Sequence, residues 1–168
     1  MNLAVAEHYA VKAAEALIPF CERIEIAGSI RRRRPHCNDI DLVVLPRLGA
    51  RDDIIARGRV NSLLVKQGMQ YVVFEMRNGL QLDLWFAHRG GGDLFAPDPP
   101  NFGVLWLTRT GSAAHNIFIA QRAKERGMHF NPHRGLEDSS GAVIASEDEP
   151  SIFDALDLDY VCPEDREK

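Results

Sequence analysis

The sequence predicts an α+β protein: a mixed sheet with flanking helices, followed by a small α/β C-terminal subdomain. Three observations carry this. A helical period opens the chain, and short β-rich runs follow it. Asn78-Gly79 between two such runs marks a hairpin. A glycine- and proline-rich stretch then separates this block from a second one with its own helices. The 168 residues suffice for one ordinary domain or two small ones. With 45% apolar and 26% charged residues, the composition is globular rather than disordered.

Leu3, Ala6, Tyr9, Ala10, Ala13, Leu17 and Phe20 recur at spacings of three and four, which predicts a helix over residues 3–20. Asn2 can cap it, and Pro19 stands at its end. Residues 23–27 alternate like a strand and run into Gly28-Ser29, and residues 40–45 form a β-rich run ended by Pro46. Residues 51–67 read as a helix on Ile54, Ile55, Leu63, Leu64 and Val65, with Gly68 as its stop. Residues 70–76 and 80–87 flank Arg77-Asn78-Gly79 as a hairpin. The first block is therefore helix–strand–strand–helix–hairpin over residues 1–90. Gly90-Gly91-Gly92 and Pro97-Asp98-Pro99-Pro100 place a linker at 91–100.

Residues 101–168 form the second block. It opens on an apolar turn at 102–107, and a helix over 112–126 follows, stopped by Gly127. A short hairpin is expected between 128–130 and 142–144, with Ser139-Ser140-Gly141 in its connection, and a last helix over 150–156. Trp106, Leu107, Ile117 and Phe118 read as core positions.

The net charge of −4 argues against a histone-like nucleic-acid coat. Its distribution says more: residues 1–60 carry +2, 61–120 carry zero and 121–168 carry −6. Arg31-Arg32-Arg33-Arg34 is the sharpest local feature, because four adjacent arginines repel one another unless anions lie nearby. The N-terminus lacks a basic segment followed by an apolar core, which predicts a protein that is not secreted and is cytoplasmic or nucleoid-associated. No run approaches the roughly 20 apolar residues of a membrane span. Cys21, Cys37 and Cys162 are too few and too scattered for a disulfide framework or a cysteine zinc site. His129 and His133 are four apart, but Pro132 opposes a helix that would place them on one face.

The chemistry concentrates in three carboxylates and one turn. Asp39 and Asp41 are two apart on a predicted strand, so both side chains share a face while Ile40 and Leu42 enter the core. Two carboxylates on one face repel unless a cation neutralises them, and hard divalent cations prefer oxygen ligands. Asp83, between Leu82 and Leu84 on another predicted strand, can join them. Three such carboxylates suit two Mg²⁺ ions about 4 Å apart, the arrangement of in-line phosphoryl transfer, with Mn²⁺ as a substitute. Gly28 lets the backbone approach a phosphate closely, and Ser29 adds a hydroxyl donor. Arg31 and Arg32 add charge-assisted contacts. Arg33 and Arg34 can touch phosphate or remain solvated.

Gly28-Ser29-Ile30-Arg31-Arg32 followed by Asp39-Ile40-Asp41-Leu42-Val43-Val44 resembles the nucleotidyltransferase signature of family X DNA polymerases. The signature alone also admits antibiotic transferases, CCA-adding enzymes and small toxin-neutralising transferases. The second block narrows the resemblance. Thr110-Gly111-Ser112-Ala113-Ala114-His115-Asn116 is similar to the segment that begins the nucleotide-contacting helix of these polymerases. Residues 152–156, Tyr160 and 163–167 resemble the family's C-terminal helix and tail. The likeness implies a nucleotidyltransferase-fold palm over 1–90 and a nucleotide-binding, thumb-like subdomain over 101–168.

The resemblance implies roles. Asp39 and Asp41 would bind both metals. Asp83 would bind the catalytic metal and help accept the primer 3′-hydroxyl proton. Ser29 and Arg32 would hold the β- and γ-phosphates, which Gly28 lets approach. Gly111, with Ser112, would bring the helix start close to the incoming sugar, and Asn116 would reach the minor-groove edge of the base. Arg31, Arg33, Arg34 and His115 would give weak DNA contacts. Thr108-Arg109 stands where the family carries an aromatic pair against the sugar, which weakens the expectation that ribonucleotides are rejected. The family's lyase and DNA-gripping domains are not expected here, so the grip on DNA should be weak and a helper protein is a possible partner.

The expected function is DNA-directed nucleotide addition to a primer 3′-hydroxyl with release of pyrophosphate, on gapped or primer-template DNA and with nucleoside triphosphates, serving short-gap repair. The alternatives are a template-independent terminal transferase and a small transferase that nucleotidylates a protein. A non-catalytic nucleic-acid binder is opposed by carboxylates that would repel phosphate.

Overall fold

The computed structural model describes residues 1–93 and 96–167. They divide into two compact units, Met1–Ala87 and His88–Lys168. The architecture is α+β, as the sequence predicts.

The first unit opens with helix α1, Leu3–Leu17, whose N-terminus is capped by Asn2 accepting from the Val5 N–H. A single 3₁₀ turn at Ile18–Phe20 holds Pro19. Then come β1 (Cys21–Ile26), the short helix α2 (Gly28–Arg31), β2 (Asp39–Pro46), α3 (Arg51–Arg59), β3 (Ser62–Gln67), β4 (Tyr71–Met76) and β5 (Gln81–Phe86). The strands make one sheet in the order β1-β2-β5-β4-β3, with β2 and β5 parallel and every other neighbour antiparallel. Ile40, Leu42, Val44, Phe74, Leu82 and Leu84 turn inward to meet Ala6, Ala10 and Leu17 of α1. The β4–β5 hairpin closes as expected, with Gly79 at φ +78°.

Residues 51–67 are not one helix. The helix ends at Arg59, and residues 62–67 form the edge strand β3. Pairing with β4 outweighs the helical propensity of Leu63 and Leu64. Leu64 packs against the core, while Leu63 (68% exposed) and Val65 (57%) face outward. The β3–β4 register shifts between Leu64 and Lys66.

The second unit contains the short ladder β6 (Gly91–Asp93) with β7 (Ala96–Asp98), within the stretch expected as linker. Helices α4 (Phe102–Thr110) and α5 (Ala113–Glu125) follow, then β8 (His129–Asn131), β9 (Gly135–Glu137), β10 (Val143–Ala145) and α6 (Glu149–Ala155). Its core is Val104, Leu107, Ile119, Ala123, Leu136, Ile152, Phe153 and Leu156. The apolar turn expected at 102–107 is helix α4. It is buried on several sides, so no stripe betrayed it. A Cβ on Gly103 would stand 2.3 Å from the backbone of Asp148, so this helix packs directly on the entry to α6. The expected two-stranded hairpin is a three-stranded sheet, with β9 between β8 and β10. Ile117 (57% exposed) and Phe118 (43%), expected in the core, lie outside. The buried stripe of α5 is His115, Ile119 and Ala123 at spacings of four.

Candidate active site

Strand β2 places Asp39 and Asp41 on the outer face of the sheet because Ile40 and Leu42, each fully buried, occupy the inner one. Strand β5 repeats the pattern with Leu82 and Leu84 inside and Gln81, Asp83 and Trp85 outside. The parallel register sets Asp41 directly opposite Asp83 and Asp39 opposite Gln81. Neighbouring strands lie about 4.8 Å apart, so the sheet sets Asp41 beside Asp83 and puts Asp39 on the same face.

Backbone geometry ties the Gly28 turn to the same patch. The Ala27 N–H donates to the Asp41 carbonyl at 2.9 Å, which holds Gly28 beside the Asp41 side chain. Gly28 has φ +61°, and a Cβ there would lie 2.1 Å from Asp41 Oδ2. Only glycine meets both conditions. The α2 turn continues with Arg31 N–H donating to Ala27 O, Arg32 N–H to Gly28 O and Arg34 N–H to Ser29 O. Arg33 and Arg34 are exposed, whereas Arg31 and Arg32 are half-buried. The Ser29 hydroxyl is buried and has no hydrogen-bond partner. A buried donor without an acceptor is costly, and a phosphate oxygen would satisfy it.

Each of the opposed carboxylates accepts from a neutral donor. Trp85 Nε1–H donates to Asp41 Oδ1 at 3.2 Å, and Gln81 Nε2–H donates to Asp83 Oδ1 at 2.8 Å. Trp85 stacks on Tyr71, with ring centroids 5.0 Å apart. Among the described residues, no three His, Cys, Asp or Glu side chains stand close enough together to hold a metal ion. The donor set at the patch is nevertheless all oxygen, which suits a hard divalent cation. The partnerless Ser29 hydroxyl is a feature a metal-bound triphosphate would use. Sequence reasoning overlooked Gln81 and Trp85, although their positions two residues either side of Asp83 put them on its face.

In the second unit, Gly111 (φ +70°) ends α4, and the Gly111–Ser112 peptide is cis. Ser112 caps α5, its hydroxyl accepting from the His115 N–H at 3.2 Å. The Ser112 N–H donates to the Arg166 carbonyl at 3.1 Å. Asn116 Nδ2–H donates to the Thr108 carbonyl at 2.8 Å, tying α5 to the end of α4. Ser112 acts here as a helix cap and Asn116 as a tie between two helices.

His115 is corrected. Expected among weak DNA contacts, it is 2% exposed and stacks on Phe153 at 5.8 Å. Burial, with the Arg166 guanidinium adding to it, lowers its pKa to about 4. A neutral, enclosed imidazole does not meet a DNA phosphate. Beneath it, Arg166 makes a bidentate ion pair with Glu149 at 2.9 Å on each arm, and Tyr160 O–H donates to Glu149 Oε2 at 2.8 Å. Burial and the charge of Arg109 lower the pKa of His133 as well.

Residues 105–167 match the family model for the DNA polymerase beta thumb. The whole chain aligns with the crystal structure of Leishmania infantum polymerase beta in its ternary P/T complex. That alignment has a TM-score of 0.81 and 18% identity, covering 100% of this chain and 77% of that one. The ternary gap complex of the same Leishmania infantum protein aligns at TM-score 0.78 and 17% identity, covering 100% and 71%. No curated protein matches the chain in sequence. Among the described residues, no helix is long and apolar enough to cross a membrane.

Proposed function

We propose that this chain, whose residues 105–167 match the family model for the DNA polymerase beta thumb and whose fold is similar to that of Leishmania infantum polymerase beta, is a nucleotidyltransferase that extends a DNA primer. The observation that carries the reading is the β2–β5 register, which sets Asp41 opposite Asp83 with Asp39 on the same face.

Asp39, Asp41 and Asp83 would hold two Mg²⁺ ions. When bound, the ions acidify the primer 3′-hydroxyl and neutralise charge on the triphosphate and the leaving pyrophosphate. The chain supplies the rest. Asp83 is the acceptor for the hydroxyl proton. Gly28 leaves room for the Asp41 carboxylate, the Ser29 hydroxyl donates to a phosphate oxygen, and the Arg32 guanidinium compensates its charge. In the second unit, taken by itself, Gly111 and Asn116 at the start of α5 are the residues proposed to contact a nucleotide. Short-gap DNA is the proposed substrate, with repair as the setting.

Primer extension in Mg²⁺ on a one-nucleotide gapped duplex tests this. Each deoxynucleotide is supplied separately, with the matching ribonucleotide, a single-stranded primer and Asp83→Ala as controls. Incorporation of the complementary nucleotide alone, lost in Asp83→Ala, is expected. Thr108-Arg109 in place of an aromatic pair predicts comparable use of the ribonucleotide. Base-independent extension of the single strand establishes a terminal transferase instead, and no incorporation on any DNA overturns the polymerase reading.

A further inference from the structure

The acidic patch carries a device that none of the expected roles includes. On the outer face of β5, donors and acceptor alternate: Gln81, Asp83, Trp85. Trp85 reaches across the ladder to Asp41 Oδ1 at 3.2 Å, and its ring is braced by Tyr71 at 5.0 Å. Lys66 in turn lies over the Tyr71 ring, 5.1 Å from its centroid. The other oxygen of Asp41 sits over Gly28, where a Cβ would stand at 2.1 Å. One oxygen of the carboxylate therefore accepts from an indole N–H while the other lies against Gly28.

We propose that Trp85 is a positioning residue for Asp41, its indole N–H fixing one carboxylate oxygen so that a divalent cation meets the group in one preset pose. The inference rests on the metal-binding reading above and deepens it. The chemistry of the donor matters. An indole N–H is neutral, so it orients the carboxylate without bringing a positive charge that would compete with a cation. A hydrogen-bond partner that orients a ligating carboxylate typically changes metal affinity when it is lost. The Tyr71 stack limits the indole's own freedom, so the pose of Asp41 is set before any ion arrives.

Two measurements test this. The chain has two tryptophans, so a ¹⁵N-labelled sample shows two indole N–H signals, and Trp106→Phe assigns them. Added Mg²⁺ should shift the Trp85 signal and leave that of Trp106 in place. A Trp85 signal that stays still while the protein binds Mg²⁺ overturns the proposal, and this measurement needs no variant at position 85. In the second, Mn²⁺ binding is followed by electron paramagnetic resonance in wild type and Trp85→Phe, which keeps the ring on Tyr71 but removes the donor. Affinity should fall by about tenfold with the melting temperature little changed. A merely structural role would lower the melting temperature and leave Mn²⁺ affinity alone. Equal affinity in Trp85→Phe overturns this inference and spares the metal reading. Wild type that binds no Mn²⁺ overturns the metal reading itself.

Discussion

Arg166 and Glu149 form a fully enclosed bidentate pair, the two side chains 0% and 1% exposed. Arg166 is the largest fully buried side chain in the structure, and its guanidinium also lies 5.5 Å and 5.4 Å from the Phe153 and Tyr160 ring centroids. Removing one partner of such a pair strands the other charge, at about 3–5 kcal/mol. Arg166→Met should therefore destabilise the protein by that amount in urea unfolding. Arg166→Met combined with Glu149→Leu should lose less than the sum of the single changes, because no charge is stranded. It should not return to wild type, because the Val161 carbonyl then lacks the donor that Arg166 Nε–H supplies.

Gly28→Ala puts a methyl into the space of Asp41 Oδ2 and strains a left-handed backbone. Gly49→Ala is the control, with φ +79° and nothing within 4 Å of the added atom. Each change should cost about 1–2 kcal/mol of stability through the backbone. Only Gly28→Ala should lower single-turnover incorporation, by about 100-fold, the penalty typical of a misplaced catalytic group.

Ser29→Ala removes a buried hydroxyl that has no partner in the free protein. Thermal stability should hold or rise slightly, since nothing is lost in the folded state. Nucleotide affinity, read by calorimetry with a non-hydrolysable triphosphate, should fall by about tenfold, the worth of one hydrogen bond to a charged group. A large loss of stability with unchanged affinity would show that the hydroxyl serves the fold instead.

His115 makes folding pH-dependent in a definite direction. Its folded pKa is lowered from 6.5 to about 4, so on acidification the unfolded chain takes up the proton first. The stabilising contribution is full above pH 6.5 and is lost as pH falls towards 4. Through that window the slope approaches about 1.4 kcal/mol per pH unit. His133 shifts in the same direction, so the comparison needs a variant. His115→Phe, which keeps an aromatic ring on Phe153, should flatten part of the acid limb of a melting-temperature profile. Identical profiles would show that His115 takes up its proton alike in the folded and unfolded chain.

The alternating pattern at residues 39–42 and 81–84 was legible because period-2 burial is the strongest signal a strand carries. The structure places Ile40, Leu42, Leu82 and Leu84 inside and the aspartates outside accordingly. The turn at Gly28 was legible through its glycine. Where the period failed, so did the reading: α4 is buried on several sides, and β3 is an edge whose apolar residues do not face the core. The Trp85–Asp41 bond spans 44 residues in sequence and depends on β5 joining β2 in parallel, which no local window reveals. The burial of Arg166, two residues from the last one, is equally a product of tertiary packing. A charged tail residue reads as solvent-facing until its carboxylate partner is known.

The irregular register of β3 bears on how the protein behaves in concentrated solution. An outer strand with an unused row of main-chain donors and acceptors, and with Leu63 and Val65 turned to water, is a template on which further chains can stack into fibrils. A slip between Leu64 and Lys66 bends that template, and Lys66 adds a charge an incoming strand would have to desolvate. The same sheet that needs a regular ladder at β2–β5 to align its carboxylates thus keeps its far margin irregular, which opposes edge-to-edge stacking of chains.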